Sequence, residues 1–270
     1  MKAVSIALAA LLFGASCSVS ADPEFESSPP VDVNQQADDD GPAPVDDPEC
    51  DPDNARPSLR PGGELPAPGA MPSGSLMAEI AERGSLRIGV AQDTLLFGFL
   101  NPTSGDIEGF DVEVGKLVAE AIFGSADGTV ELIPITSAER VPGLVDGDFD
   151  IAVKTMTITC SRWGQIDFSS VYYESGQKLL VGEDSGITDI TEMTDEQVVC
   201  AAEGTTSIAA LDEFPVQSVA VEGWTDCLAQ FQQGRVQGIS TDDAILAGLA
   251  AQDPFAVVVG DLFSEEPYGI

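Results

Sequence analysis

Strand and helix patterns alternate in two separate runs along this chain, and this alternation constrains the fold more than any other feature. The first run predicts strands at residues 85–93, 130–135 and 150–155 and helices at 77–84, 112–123 and 137–146. The second predicts strands at 198–202, 216–221, 236–240 and 256–259 and helices at 207–213, 225–233 and 244–251. Such alternation with short connections is typical of parallel sheets covered by helices. We therefore expect two α/β lobes, joined by a long extended crossing at residues 167–182.

The first residues of the chain have the composition of an export signal. A short apolar run ends in the small residues 14–16, directly before Cys17. The run is too short for a membrane span, and small residues before a cysteine resemble a bacterial lipoprotein cleavage box. We expect residues 1–17 to be a lipoprotein signal peptide, with Cys17 lipidated and the mature protein extracytoplasmic, anchored to the outer face of the cell membrane. An ordinary signal peptide with an incidental cysteine is the alternative.

The segment that follows has few large apolar residues. Residues 18–75 are rich in proline and in acidic side chains. Such a segment cannot bury enough surface to offset its ordering entropy. We predict a disordered tether over residues 18–75, with the folded part beginning at residue 76.

The charge balance and the absence of histidine exclude several classes of function. The sequence has 46 acidic and 11 basic residues and a formal net charge of −35 at pH 7. Nucleic acid and anionic lipid headgroups would be repelled by such a chain. Without histidine there is no Ser-His-Asp or Cys-His nucleophile pair and no histidine-based metal site. We expect no enzymatic activity, no metal and no cofactor.

One polar stretch has the residue types of an amino-acid receptor. In IAVKTMTITCSRWGQIDFSSVYY (residues 151–173), threonines and exposed main-chain amides surround Arg162. These groups suit a carboxylate with an adjacent ammonium, because arginine presents a planar fork of donors. The alternatives are that Arg162 pairs with Asp167 at the surface, and that Asp242 and Asp243 only cap the helix that follows them.

Seven motifs occur in one order between residue 76 and the end of the chain. They are GSLRIGVAQDTLLFGF, GFDVEVGKLVAEAIFG, ERVPGLVDGDFDIAVKTMTITCSR, IDFSSVYYESG, CAAEGTTS, QQGRVQGISTDD and EEPYGI. In this order the chain resembles the bacterial extracellular solute-binding proteins of family 3, the polar amino-acid receptors of ABC importers. TMTITCSR and STDDAILAGLAAQDP further resemble actinobacterial glutamate- and glutamine-binding lipoproteins.

The resemblance implies an α/β fold like that of periplasmic binding proteins. Two lobes with parallel-rich sheets, at residues 76–172 and 173–265, would be joined by two hinge strands and close over an amino acid. The second hinge strand would begin at residues 266–270. The sequence stops where that strand would return to the first lobe, so we expect either that this is a fragment or that the first lobe lacks its final strand and helix and closes poorly.

The resemblance also implies a ligand set in the first lobe. Arg162 would pair with the α-carboxylate of the amino acid. Thr157 would contact the carboxylate through its N–H and the ammonium through its hydroxyl. The carbonyl of Thr155 would accept a hydrogen bond from the ammonium.

The second lobe would hold the other charge of the ligand. Asp242 would neutralise the ammonium, and the backbone of Thr205 and Thr206 would complete the carboxylate site. A zwitterion with one charge held by each lobe favours the closed state, and in this way a ligand shifts the population.

Selectivity for the ligand side chain is expected from a further group of residues. Phe97 and Phe99 would form an apolar wall around the methylenes, and Asp93 is also placed in the ligand site. Lys154 and Arg140 are the basic candidates for a second carboxylate. Glutamate or aspartate is therefore expected ahead of glutamine.

Cysteine pairing follows from the lobe assignment that the resemblance implies. Cys200 and Cys227 fall in the second lobe, Cys160 falls in the first, and Cys50 lies in the tail. A bond between the lobes would block opening of the cleft. We expect Cys50 to pair with Cys160 and Cys200 with Cys227.

The expected function is that of a monomeric substrate-binding lipoprotein. It would bind a polar amino acid by closure of its lobes and deliver it to an ABC permease in the membrane. Two alternatives are a sensor that signals to a membrane partner and a dehydratase-like enzyme on the same fold.

Overall fold

The computed structural model of this chain describes residues 50–51, 55–59 and 63–270. The signal peptide and the lipidation of Cys17, together with most of the predicted tether, lie outside the described residues. Within the described part of the chain, no helix has the length and apolar character needed to cross a membrane.

The first lobe has a small parallel sheet flanked by helices. Its elements are α1 (Leu76–Arg83), β1 (Leu86–Val90), β2 (Asp93–Thr94), β3 (Gly98–Leu100), β4 (Ile107–Glu108), α2 (Phe110–Phe123), β5 (Val130–Pro134), α3 (Arg140–Asp146), β6 (Ile151–Ala152) and α4 (Cys160–Trp163). The sheet order is β5-β1-β6, and β2, β3 and β4 form a separate antiparallel ribbon. The apolar strand β1 packs with Ile80 of α1 and Val112 of α2 in one core. β3 and β4 lie in a stretch for which the sequence predicts no strand, because each is only two or three residues long.

The second lobe has a larger mixed sheet. Its elements are β8 (Gln177–Gly182), a 3₁₀ turn (Ile190–Glu192), β9 (Val198–Ala202), α5 (Thr206–Ala210), a 3₁₀ turn (Leu211–Glu213), β10 (Gln217–Val221), α6 (Trp224–Gln232), β11 (Gly238–Asp242), α7 (Asp243–Ala250) and β12 (Ala256–Val259). The order is β10-β9-β11-β8-β12, parallel for the first three strands and antiparallel at β8 and β12. Apolar residues of the strands and of α5, α6 and α7 form its core.

Two short strands connect the lobes side by side. β7 (Tyr173–Ser175) and β13 (Glu266–Tyr268) pair antiparallel, and Tyr268 also bridges to Thr157. The predicted crossing at residues 167–182 is therefore too long. Its second half forms β8 in the interior of the second sheet, because Leu179, Leu180 and Val181 are buried on both faces.

Two residues of the predicted tether, Ala55 and Arg56, are packed against the lobes, and the tether over residues 18–75 otherwise stays a prediction. Ala55 is buried and its carbonyl accepts a hydrogen bond of 3.0 Å from Trp163 Nε1. Arg56 forms ion pairs with Glu174 of β7 and with Glu265, the residue before β13. These contacts fix a proline-rich segment without regular secondary structure, so composition alone misplaced the start of the folded part.

Two disulfide bonds occur among the described residues, and both are the expected ones. Cys50 is bonded to Cys160 at the start of α4, with Cα atoms 5.6 Å apart. Cys200 of β9 is bonded to Cys227 of α6, also at 5.6 Å. Each bond lies within one lobe or its attached segment, so neither crosses the cleft.

Candidate ligand-binding cleft

Polar side chains from both lobes line a narrow cavity between them, here called the inner cavity. Its space is about 230 Å³ including the part open to solvent, and its lining consists of Ser137, Arg140, Thr155, Thr157, Arg162, Thr205, Thr206, Ser207, Trp224, Thr241, Asp242 and Ile245. Seven of the residues that the sequence predicts for ligand binding lie in this lining.

Arg162 reaches from the first lobe toward the second. It lies on α4, which begins where the Thr159 hydroxyl accepts a hydrogen bond of 3.3 Å from the Arg162 N–H. Its guanidinium donates to the Thr157 carbonyl at 2.5 Å and to the Gly204 carbonyl of the second lobe at 3.2 Å. Burial lowers the pKa of Arg162, opposed by Glu266 and Asp242. The chain thus holds a desolvated cation at the lobe interface.

Arg140 is held by main-chain carbonyls, and this limits its predicted role as a partner for a second ligand carboxylate. Its guanidinium donates to the carbonyls of Ser137, Lys154, Thr155 and Gly204, at 2.8 to 3.2 Å. An arginine side chain has five N–H donors, so these four bonds leave little capacity for a ligand. Arg140 therefore shapes the loop around Lys154 and Thr155 and contacts the second lobe at Gly204.

Asp242 ends β11 in the second lobe and has one oxygen without a partner. Tyr268 donates a hydrogen bond to its Oδ2 atom, whereas its buried Oδ1 atom accepts none from any residue that the structure describes. Burial raises the pKa of Asp242 to about 7, as does the neighbouring Glu266 carboxylate, while Tyr268, Arg140 and Arg162 oppose the shift. A buried carboxylate oxygen that lacks a donor is costly. Because Asp242 lines the inner cavity, a cationic group bound there would supply the missing donor.

Thr205 and Thr206 lie at the start of α5 in the second lobe, next to Gly204, whose carbonyl accepts from Arg162. The Thr205 side chain caps α5 by accepting from the Ile208 N–H at 3.4 Å, and it donates to the Ala202 carbonyl at 2.6 Å. The Thr206 hydroxyl donates to Glu266 at 2.7 Å. The hydrogens of both hydroxyls are therefore engaged within the protein, and the backbone N–H groups are the donors that remain for a ligand carboxylate.

Thr155 has a strained backbone next to the cavity. Its φ of 40° is in the left-handed region, where a β-branched residue is an outlier. The strain is offset by a buried carboxylate, because the Thr155 N–H donates to Asp111 Oδ2 at 2.8 Å. The other oxygen of Asp111 accepts from the Tyr172 hydroxyl at 2.8 Å, and burial raises the pKa of Asp111 to about 6. Strained residues of this kind concentrate at ligand sites.

A second space, here called the outer cavity, opens from the cleft to solvent. It measures about 850 Å³ including the part open to solvent, and its lining comprises Gln92, Asp93, Pro134, Ile135, Thr136, Ser137, Glu139, Lys154, Glu222, Gly223, Trp224, Thr225 and Asp226. Four of these residues are carboxylates and one, Lys154, is a cation. The lining is therefore predominantly acidic.

Lys154 is buried and weakly bonded within the outer cavity. Its ammonium donates one long hydrogen bond of 3.5 Å, to the Ser137 hydroxyl. Burial lowers the pKa of Lys154 to about 8, with Arg140 acting in the same direction and Asp93 opposing it. Asp93 in turn accepts a hydrogen bond of 2.9 Å from the Trp224 N–H of the second lobe.

Phe97 packs beside the cleft on the hinge strands, and its predicted place in the ligand site stays a prediction. Its ring packs edge-to-face against Tyr173 and Tyr268 of the two hinge strands, with centroids 5.2 and 6.1 Å apart. Neither Phe97 nor Phe99 lines the inner or the outer cavity. Aromatic residues in a motif near a cleft pack against each other when the hinge offers an aromatic surface, and spacing alone does not distinguish this from ligand contact.

Three residues of the cleft were missed by the sequence reasoning. Trp224 lines both cavities, and its buried indole N–H has no acceptor among the residues that the structure describes. Glu266 is buried between the lobes, and Asp111 holds Thr155. Glu266 lies in the EEPYGI motif and Asp111 in the GFDVEVGKLVAEAIFG motif, so both had a sequence signal, whereas Trp224 lies in none of the seven motifs.

Known proteins are similar to this chain in sequence and in fold. The sequence pattern of the family described as bacterial extracellular solute-binding proteins, family 3, matches residues 86–252. The glutamine-binding protein of Geobacillus stearothermophilus is 38% identical over 196 residues, which cover 72% of this chain and 74% of that protein. The glutamate-binding protein GluB of Corynebacterium efficiens is 31% identical over 221 residues, covering 77% and 75%. A solved solute receptor for L-cysteine from Neisseria gonorrhoeae aligns with a TM-score of 0.68 at 29% identity, covering 72% and 79%.

The family match spans the cleft. It includes the ligand-site residues from Asp93 of the first lobe to Asp242 of the second. The resemblance inferred from the seven motifs and the predicted two-lobe α/β fold class are both confirmed. The chain belongs to the bacterial extracellular solute-binding proteins, family 3.

Proposed function

We propose that this protein is the extracytoplasmic receptor of an ABC importer and that its ligand is L-glutamine. The observation that carries the amino-acid part of the proposal is the unpaired Oδ1 atom of Asp242, which lines the same cavity as the Arg162 guanidinium. An α-amino acid presents an ammonium and a carboxylate on adjacent atoms, so it can satisfy both groups at once.

Each end of the zwitterion would contact both lobes. The ammonium would donate to Asp242 of the second lobe and to the Thr157 hydroxyl oxygen of the first. The carboxylate would accept from Arg162 of the first lobe and from the backbone at Thr205 and Thr206 of the second. The ligand then joins the two lobes at both of its charged groups, so that binding stabilises the closed arrangement.

The charge of the outer cavity favours a neutral ligand side chain over an anionic one. Asp93, Glu139, Glu222 and Asp226 line the same space as Lys154 and would repel a second carboxylate. Arg140, the other cation nearby, has donors already bound to carbonyls. This reverses the order expected from the sequence, in which glutamate or aspartate came ahead of glutamine.

A carboxamide matches the donors and acceptors at this place. Its oxygen can accept from the Lys154 ammonium, which has only one long hydrogen bond, or from the free indole N–H of Trp224. Its NH₂ group can donate to Asp93. A site that pairs a donor with an acceptor discriminates between glutamine and glutamate. The side-chain carboxylate of glutamate would face the carboxylate of Asp93, and the two like charges would repel each other.

Relatives support this choice. The protein of Bacillus subtilis that is 38% identical to this chain over 196 residues is named an ABC transporter glutamine-binding protein. The presence of glutamate-binding proteins among the relatives at 28 to 31% identity makes glutamate the ligand to test against.

The anchoring and the partner are parts of the same proposal. Lipidation of Cys17 would hold a monomer at the outer face of the membrane, where a permease receives the amino acid.

A sensor would use the same cleft. A dehydratase-like enzyme is the third possibility, and an ancestral amino-acid-binding protein that preceded cyclohexadienyl dehydratase aligns with a TM-score of 0.65 at 32% identity. The cations and carboxylates of the cleft are committed to pairing charges, which argues against that chemistry.

Calorimetric titration against glutamine, glutamate, aspartate, asparagine and arginine tests the proposal. We expect glutamine to bind with micromolar or tighter affinity, about −8 kcal/mol or better, and glutamate more weakly. Asp93→Asn should weaken glutamine binding about tenfold or more, since a charged hydrogen bond is lost. The ratio of the affinities for glutamine and glutamate should also become smaller. Asp127→Asn is the matched control, because Asp127 is exposed in the connection between α2 and β5. Glutamate binding more tightly than glutamine to the parent would contradict the proposed ligand.

A further inference from the structure

Glu266 is a buried carboxylate on the second hinge strand, and it contacts both lobes. It is 2% exposed. Its Oε2 atom accepts from the Thr157 hydroxyl of the first lobe at 2.5 Å and from the Thr206 hydroxyl of the second at 2.7 Å. Its Oε1 atom accepts from the Ser264 hydroxyl at 2.6 Å. A single carboxylate therefore uses both its oxygens as acceptors for three hydroxyls.

These bonds determine whether the two threonine hydroxyls can donate or accept a further hydrogen bond. A hydroxyl has one hydrogen and two lone pairs. Because an ionised carboxylate only accepts, Thr157 and Thr206 must each give their hydrogen to Glu266. What each threonine can then offer to the cavity is an acceptor. A group that donates is favoured beside Thr157, and a group that accepts is disfavoured there.

We infer that Glu266 is a positioning residue for the ligand ammonium. It acts through Thr157, whose hydroxyl oxygen lines the inner cavity and is left as an acceptor when the hydroxyl donates to Glu266. The inference rests on the proposed function and adds to it. The preference of the site for an amino acid over the same molecule without its α-amino group would depend on Glu266, which does not contact the ligand.

The neighbouring charges are consistent with an orienting role. Arg162 and Asp242 both interact electrostatically with Glu266. The positive charge of Arg162 offsets the burial of two carboxylates so close together. The carboxylate of Glu266 is used entirely within the protein, whereas Asp242 keeps a free oxygen. Of the two, only Asp242 is therefore in a position to accept directly from the ammonium.

The test compares glutamine with glutaramic acid, which keeps the carboxylate and the carboxamide of glutamine and lacks the ammonium. Both affinities are measured on the same folded sample, by calorimetry for glutamine and by NMR titration for weak binding of the analogue. Glu266→Met frees the threonine hydroxyls to rotate. We expect the preference for glutamine over the analogue to shrink about tenfold or more in this variant.

Glu266→Gln distinguishes orientation from charge. Its amide oxygen can accept from both threonines if its NH₂ group faces Ser264, so this variant should retain most of the preference. Glu265→Met and Glu265→Gln are the matched controls, because Glu265 is the preceding residue and its side chain is 81% exposed. Both controls should leave each affinity within about twofold of the parent value.

The outcomes separate the inference from the proposed function. A Glu266→Met variant that weakens glutamine and glutaramic acid equally would overturn the inference and leave the proposed function intact. A Glu266→Gln variant that loses as much preference as Glu266→Met would show that charge, and not orientation, is what matters, and this too would overturn it. A parent protein that binds no amino acid would contradict the proposed function and with it the inference.

Discussion

The two faces of the cleft have opposite charge. The first lobe supplies the buried cations Arg140 and Lys154 and the half-buried Arg162. The second lobe supplies Asp242 with its free oxygen and two of the four carboxylates of the outer cavity, Glu222 and Asp226. A ligand with both charges matches such a cleft better than a simple anion or cation does. The difference between the faces thus explains how an amino acid could drive closure.

Few direct bonds join the faces to each other. Arg140 and Arg162 both donate to the Gly204 carbonyl, and Asp93 accepts from the Trp224 N–H. None of these bonds pairs a first-lobe cation with a second-lobe carboxylate. The charges of Arg162 and Asp242 remain available to a ligand, and two variants and a pH series test what each face contributes.

The largest effect is expected from removing the cation that serves the ligand carboxylate. Arg162→Ala should weaken glutamine binding by about 30-fold to several thousand-fold, because losing one partner of a buried charge pair costs about 2–5 kcal/mol. Calorimetric titration measures the loss. Arg235→Ala, an exposed arginine of the second lobe, is the control and should bind like the parent. Equal affinity in Arg162→Ala and the parent would remove Arg162 from the site.

The second face is tested by Asp242→Asn, which should affect binding and stability in opposite directions. Loss of the charge should weaken glutamine about 30-fold or more. The ligand-free variant should nevertheless be more stable at pH 8, by a difference on the order of 3 kcal/mol, because the raised pKa shows that the buried charge is unfavourable without a ligand. Chemical denaturation of both proteins measures this. A variant that binds weakly and is also less stable would indicate a structural role for Asp242.

The pH dependence of glutamine affinity should be the smallest of these effects near neutral pH and should become larger as the pH is lowered. With a pKa of about 7 in the ligand-free chain, Asp242 must lose a proton to bind an ammonium. Affinity for glutamine should therefore fall below pH 7, by about 100-fold at pH 5. The stability contribution of Asp242 has the opposite sign: it is complete below its unfolded pKa of about 3.9 and lost as the pH rises through about 7. Titrations at several pH values check the first part, and Asp242→Asn should show a flatter profile.

Much of the fold and part of the site could be predicted from the sequence. Periodicity predicts the alternating elements, and local motifs predict Arg162 and Asp242. The start of the folded part could not be predicted, because Ala55 and Arg56 are held by contacts to residues more than a hundred positions away.

Predictions of role were less successful than predictions of position. Arg140 lies in the cleft as expected, yet its donors are bound to carbonyls that the tertiary structure places around it. Phe97 follows a motif near the site but packs on the hinge aromatics. Hydrogen-bond capacity is decided by neighbours distant in sequence, and for that reason Glu266 was also missed.

A crystal structure of the protein with bound L-glutamine would show directly how the ligand is held. We predict the α-carboxylate on Arg162, the ammonium within hydrogen-bonding distance of Asp242 Oδ1 and of the Thr157 hydroxyl, and the carboxamide between Asp93 and Lys154. Glutamine bound in the reverse orientation, or with both of its charged groups on one lobe, would contradict it.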